Sequence, residues 1–218
     1  MIAVTFAHPS ESRDFLRLVG ERHHELKVLH TGIGAKACRQ AIGPFLQSHR
    51  FRILISSGFA GGLDDSLGPG DLLLAENFSS PGLLEEAREL IIARSGKLAT
   101  SRRVIESVTE RRRLGREQEA VAVDMETESI AEACAAHQLP LLSLRVISDT
   151  PKKPLPAPAH ILFDLERQRT VVRRLAGYLF IHPLGAVRLI RFSRQLANAR
   201  AELAIGLKTL VEEFAEPA

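Results

Sequence analysis

The chain has 218 residues, 45% of them hydrophobic and 25% charged, which suits one globular domain with its own core. A net charge of only +3 gives no reason to expect a nucleic-acid partner, and no apolar run reaches the roughly 18 residues a spanning helix needs. Cys38 and Cys134 are too few for a disulfide framework or a zinc cluster, and read as reduced core thiols of a cytoplasmic protein.

Ile2 to Phe6 is an apolar run that predicts a buried first strand rather than a signal peptide, since no basic region precedes it. After the polar turn at 7–12, Phe15, Leu16 and Val19 predict a helix over Glu11 to Glu21. The neighbouring His23 and His24 diverge on any regular element, and the histidines show no metal-ligand spacing, so no metal is expected. Leu26 to Leu29 reads as a second strand running into Thr31-Gly32-Ile33-Gly34, with a helix from Ala35 to about Ser48. A glycine turn between strand and helix can cradle an anion, although tight turns use the same residues. Arg52 to Ser56 predicts a strand ending in a glycine loop, Ser57 to Leu63, whose backbone must pass close to a ligand or another segment.

Pro69-Gly70-Asp71 marks a turn before a strand at Leu72 to Ala75. Pro81 to Glu89 reads as helix, Leu90 to Ala93 as extended and Ser101 to Arg113 as helix. Ala120 to Val123 and Leu141 to Ile147 read as strands joined by a helix. A proline-rich loop, Thr150 to Pro158, leads to a mainly helical, basic and apolar region over residues 159–218, broken at Pro183. Strands alternating with helices predict a single α/β domain over residues 1–218, with a mixed, mostly parallel central sheet flanked by helices in three layers.

Arginines cluster twice. Arg102, Arg103, Arg111, Arg112, Arg113 and Arg116 read as a solvated helix face. Arg167, Arg169, Arg173, Arg174, Arg188, Arg191 and Arg194 are interleaved with Leu175, Tyr178, Leu179, Phe180, Ile181, Leu189, Ile190 and Phe192. Solvated helices explain that pattern, and so does peripheral contact with an anionic membrane.

In open α/β sheets, ligands bind beyond the carboxyl ends of the strands. There the chain presents Glu11, the Gly58–Gly62 segment, Met125 with Glu126, and Asp149. Several carboxyls beside a glycine-lined wall suit a polyol that develops positive charge, as in glycosidic cleavage. One carboxyl can protonate a leaving group while others bind hydroxyls or orient the nucleophile. Singly, Glu126 would also suit a helix N-terminus and Asp149 a turn.

In order along the chain, Ala7–Glu11, Thr31–Gly34, Gly58–Leu63 with Gly70-Asp71, Ala122–Glu126 and Arg145–Asp149 resemble the nucleoside phosphorylase and nucleosidase superfamily. The resemblance implies that Asp149 protonates a purine, that Met125 and Glu126 hold the ribose, and that Glu11 activates water. It puts Arg145, Arg13, Gly32, Gly34, Gly58 and Phe59 in the nucleophile or phosphate region, and Ala60, Gly61, Ala99, Val123 and Ser148 around the base. Inorganic phosphate is the one co-substrate it suggests, no cofactor is implied, and a homo-oligomer is expected.

Three departures stand out. Phe59 replaces a small polar residue of the nucleosidases, Ala99 lies where they stack an aromatic ring on the base, and Pro151 to Pro156 replaces an acidic, helix-forming stretch. In these departures the chain is similar to the hopanoid-associated phosphorylase branch, which implies adenine release from adenosylhopane, by phosphorolysis or hydrolysis, in the cytoplasm or at the inner membrane face. A methylthioadenosine/S-adenosylhomocysteine nucleosidase is the alternative enzyme. A non-catalytic nucleoside or lipid carrier is the alternative of another class.

Overall fold

The structure is a computed structural model that describes residues 1–20, 26–63, 65–164, 168 and 172–215. His23, His24, Arg167 and Arg169 lie outside the described residues. The strands are β1 (Ile2–Phe6), β2 (Leu26–His30), β3 (Ile53–Gly62), β4 (Leu72–Ala75), β5 (Arg94–Thr100), β6 (Ala120–Asp124) and β7 (Leu141–Asp149). The helices are α1 (Pro9–Val19), α2 (Ala35–Ser48), α3 (Pro81–Leu90), α4 (Val108–Gln118), α5 (Thr127–Ala136), α6 (Ala159–Leu162), α7 (Val172–Ile181) and α8 (Pro183–Ala215).

β1 lies between β2 and β3, parallel to both. β3 has ten residues, long enough to change partners along its length. Its first half pairs with β1, and Gly61 and Gly62 at its end pair antiparallel with β6. β7 runs parallel to β3 along its other side and antiparallel to β4. The parallel pairs β4–β5 and β5–β6 then close these strands into a ring. The sheet is therefore mixed and mostly parallel, with helices on its faces.

All nine residues of β7 are buried, which is why it reads as an apolar run. Leu142, Leu144 and Val146 point to one face, at the period of two that a strand imposes. There they meet Phe6 and Phe15 and a stripe of α8: Ala199, Leu203, Leu207, Leu210 and Phe214. The three- and four-residue steps of that stripe seat α8 along one side, and Arg200 ties it to α1 through Asp14 at 2.6 Å. The opposite layer packs Cys38 and Ile42 of α2 against Ile130 and Cys134 of α5. Burial there pushes both thiols up to about 12, so they behave as small apolar side chains.

Three expectations about local structure change. The glycine segment is the end of β3 rather than a loop, with a bulge between Ala60 and Gly61. The strand expected at Leu90 to Ala93 lies instead at Arg94–Thr100, where Asn77 hydrogen-bonds both the N–H and the carbonyl of Leu98. The helix expected from Ser101 begins only at Val108, where the Ser107 hydroxyl accepts from the Glu110 N–H.

Candidate active site

A cleft of about 210 Å³ opens at the carboxyl ends of β1, β3, β6 and β7. Glu11, Phe59, Ala60, Gly61, Val123, Met125, Glu126, Ser148 and Asp149 all line it. Arg103, Val104 and Ile105, from the segment before α4, form another part of the wall.

At one end stands Asp149, 4% exposed, in an ion pair with Arg111, which is 3% exposed. Arg111 is fixed by its other donors, from Nε to the Ile105 carbonyl at 2.7 Å and from Nη1 to the Gly62 carbonyl at 3.0 Å. The second Asp149 oxygen lies 2.5 Å from the Ser148 hydroxyl, which also reaches the Ala60 carbonyl at 3.2 Å. The acid therefore has a fixed orientation and a cationic partner. The expectation of a solvated face fails for Arg111, because α4 packs the side that carries Gly115. A side chain at Gly115 would meet the Ala120 carbonyl at 3.1 Å and Leu63 at 3.3 Å. Arg111 lies four residues before Gly115 and three before Leu114, on that same side. That spacing was the available sequence signal.

At the other end, Glu11 is the third residue of α1 and completes a capping box with His8. Its Oε2 accepts from the N–H groups of Ala7 at 2.9 Å and His8 at 3.2 Å, and its Oε1 from Phe59 at 3.4 Å. Gly58 makes this approach possible: its φ is +152°, and a Cβ there would lie 3.1 Å from Glu11 Oε2. Burial raises the Glu11 carboxyl to about 6, although these N–H groups and the Arg145 charge pull the other way. Glu126 is raised further, to about 8, by burial and then by the Asp124 carboxylate. Its Oε1 accepts the Gly34 N–H at 2.6 Å. The helix-start reading of Glu126 does not describe its side chain, which makes no cap bond. Asp124 accepts the Thr127 N–H at the start of α5 instead.

Arg145 lies behind these carboxylates, 2% exposed. Its Nε donates to Asp124 at 3.1 Å, Nη1 to the Leu144 carbonyl at 3.2 Å, and Nη2 to Ser56 at 2.7 Å and Thr127 at 2.5 Å. Between Arg145, Glu11 and Glu126 is a void of about 10 Å³, lined also by Thr5 and Ser57. The hydroxyls of Thr5 and Ser57 are buried and have no hydrogen-bond partner among the described residues.

Other expected site residues fall elsewhere. Arg13 is half exposed and paired with Asp14 at 3.6 Å, because it projects from the outer side of α1. The Gly32–Gly34 turn is occupied by side chains: Gln168 accepts from Ile33 N at 2.7 Å, and Glu126 from Gly34 N. Ala99 is 2% exposed and packs with Leu63, Ala120 and Val123 beneath the cleft, so it does not form the base wall. Among the described residues no cluster of His, Cys, Asp and Glu could hold a metal ion.

The Phosphorylase superfamily model matches residues 76–180, which include β5, β6 and β7. A 5'-methylthioadenosine/S-adenosylhomocysteine nucleosidase of Staphylococcus aureus is 26% identical over 161 residues, 59% of this chain and 70% of that protein. The fold is shared with futalosine hydrolase of Helicobacter pylori, at a TM-score of 0.73 and 20% identity, with 97% of each chain covered. It is shared equally with the H. pylori 5'-methylthioadenosine/S-adenosylhomocysteine nucleosidase complexed with a substituted pyrrolidin-3-ol, again at TM-score 0.73, 20% identity and 97% of each chain. The segment that matches this family model carries Glu126 and Asp149 at the strand ends, and the fold around it is the one shared with the two H. pylori proteins.

Proposed function

We propose that the protein hydrolyses the N-glycosidic bond of a 5'-modified adenosine and releases adenine. The carrying observation is the nucleophile end of the cleft, where a buried carboxylate borders a void of about 10 Å³. That volume is close to one water molecule, and the unpartnered Thr5 and Ser57 hydroxyls supply polar contacts for it. Phosphate would need more room and several donors. The donors nearby are already engaged: Arg145 by Asp124, Ser56 and Thr127, and the Gly32–Gly34 turn by Gln168 and Glu126.

In the proposed reaction Met125 and Glu126 hold the ribose, and Asp149 delivers a proton to N7 as the bond from C1' to N9 breaks. Water adds to C1' and its proton passes to Glu11. The products are adenine and a sugar with a free anomeric hydroxyl. The base lies among Ala60, Gly61, Val123 and Ser148, without phosphate as co-substrate.

The favoured 5'-substituent is the hopane of adenosylhopane. This reading rests on Phe59, on the Leu155-Pro156 loop beside the cleft and on the basic, apolar α7 and α8. The second reading, a methylthioadenosine/S-adenosylhomocysteine nucleosidase, draws on the 26% identity to the S. aureus protein of that name. A carrier without turnover leaves the joint presence of Glu11, Glu126 and Asp149 unexplained. The test is adenine release from adenosylhopane and from methylthioadenosine, each with and without phosphate. Release from the lipid in phosphate-free buffer is expected. Preference for the small nucleoside would replace the hopane reading, and an absolute need for phosphate would overturn hydrolysis.

A further inference from the structure

We infer that the elbow between α7 and α8 is a docking surface for an anionic lipid bilayer. Residues 167–201 contain eight arginines and no aspartate or glutamate, although the whole chain carries 26 acidic residues. Among the described residues, the same stretch holds the most concentrated exposed apolar surface. Phe180 is 91% exposed, Ile181 73%, Leu184 73%, Val187 47% and Ile190 55%. At 100° per residue, Leu184, Val187, Arg188, Ile190, Arg191 and Arg194 fall within an arc of about 160° on α8. Phe180 and Ile181 end α7 immediately before the elbow.

Half of these charges have no carboxylate partner among the described residues, although Arg200 pairs with Asp14 at 2.6 Å. Arg174 pairs with Asp164 at 3.1 Å, but no described carboxylate pairs with Arg173, Arg188, Arg191 or Arg194. Arginines flanking bare apolar side chains match a surface with phosphate outside and hydrocarbon beneath. Nucleic acid would satisfy the arginines but leave Phe180, Ile181 and Leu184 in water. A second copy of the same face would set arginine against arginine. No helix among the described residues is long and apolar enough to cross a membrane, so the contact is with the surface.

The elbow also adjoins the active cleft. Tyr178 and Arg188 line a side cavity that shares Leu155 and Arg111 with it. Gln195 of α8 donates to the Ser148 carbonyl at 2.7 Å, one residue before Asp149. Docking through this face would bring the cleft to the bilayer, which deepens the lipid reading of the substrate without depending on it.

The test is co-sedimentation of the full chain with phosphatidylcholine vesicles, with and without phosphatidylglycerol, at low and high salt. No nucleoside is present, so this result and the glycosidase result can fail separately. Binding to the anionic vesicles, weakened by salt, is expected. Arg191→Gln with Arg194→Gln should weaken it about 30-fold, from roughly fivefold per arginine. Phe180→Ser with Leu184→Ser should abolish the salt-resistant part, and unchanged thermal melting would show that both variants fold. The inference is overturned if the wild type binds neither vesicle, if the variants bind as well as the wild type, if duplex DNA competes the vesicles away, or if the protein dimerises through this face.

Discussion

The two ends of the cleft treat a buried carboxylate differently. Asp149 has an arginine bound to one oxygen and a serine hydroxyl at the other. Glu11 and Glu126 receive only backbone N–H groups, while the arginine nearest them, Arg145, is bonded to Asp124. Backbone N–H groups alone only partly offset the desolvation of a buried carboxylate. Glu11 and Glu126 are accordingly raised to about 6 and about 8. In the proposed reaction one end holds the leaving group in a fixed geometry, and the other takes up a proton near neutral pH, as a base activating water requires.

The largest expected effect breaks the ion-paired end. Asp149→Asn keeps an oxygen for Arg111 but removes the acid, and turnover should fall roughly 100-fold or more in a folded protein. Near-normal turnover would remove Asp149 from the chemistry. Arg111→Met should act on stability as well, because it leaves a buried carboxylate without its cation. A loss of about 3–5 kcal/mol in denaturant unfolding is expected, and a shift below 1 kcal/mol would show that the pair is not maintained.

At the other end, Glu11→Gln should lower turnover by about 100-fold, and the wild-type rate should rise as pH passes through about 6, where Glu11 loses its proton. A flat wild-type profile from about pH 5 to 8 would contradict the base role. Glu126→Gln tests the same environment through stability. Because folding raises this carboxyl from 4.5 to about 8, the native state holds the proton more tightly. Its stabilising contribution is complete below about pH 4.5 and is lost as pH rises through about 8. The amide oxygen can still accept the Gly34 N–H. Glu126→Gln should therefore be more stable than wild type at about pH 9, by roughly 1–3 kcal/mol, with no such gain near pH 5. Equal melting curves at both pH values would reject the raised carboxyl. The smallest effect is expected for Gly58→Ala, at about 1–2 kcal/mol, because its backbone lies at positive φ and the new methyl presses on Glu11. Unchanged stability and turnover would mean that the wall yields.

Two strand ends were legible because Ala120 to Val123 and Leu141 to Ile147 are mainly apolar runs with acidic residues within three positions of their ends. Asp149 and Glu126 could therefore be placed in one cleft without coordinates. β5 was not, because Arg94-Ser95-Gly96-Lys97 lacks the alternation that marks a strand and is held by pairing with β4 and β6 on either side. The cleft wall at Arg103 to Ile105 was hidden because the helix expected from Ser101 starts seven residues later. Arg111 was hidden among neighbours of like charge, and only the packing of Leu114 and Gly115 separates it from Arg112 and Arg113, which stay exposed. Gly32 and Gly34 show the converse: their turn has an anion-cradling pattern, but its N–H groups serve side chains of the protein itself.

The most direct test of the account is the identity of the sugar product when the enzyme turns over in excess phosphate. Water held between Glu11 and Arg145 predicts a sugar with a free anomeric hydroxyl, and phosphorus NMR should show no new ester. A sugar 1-phosphate would contradict the account and require the nucleophile end of the cleft to open far beyond its present volume of about 10 Å³.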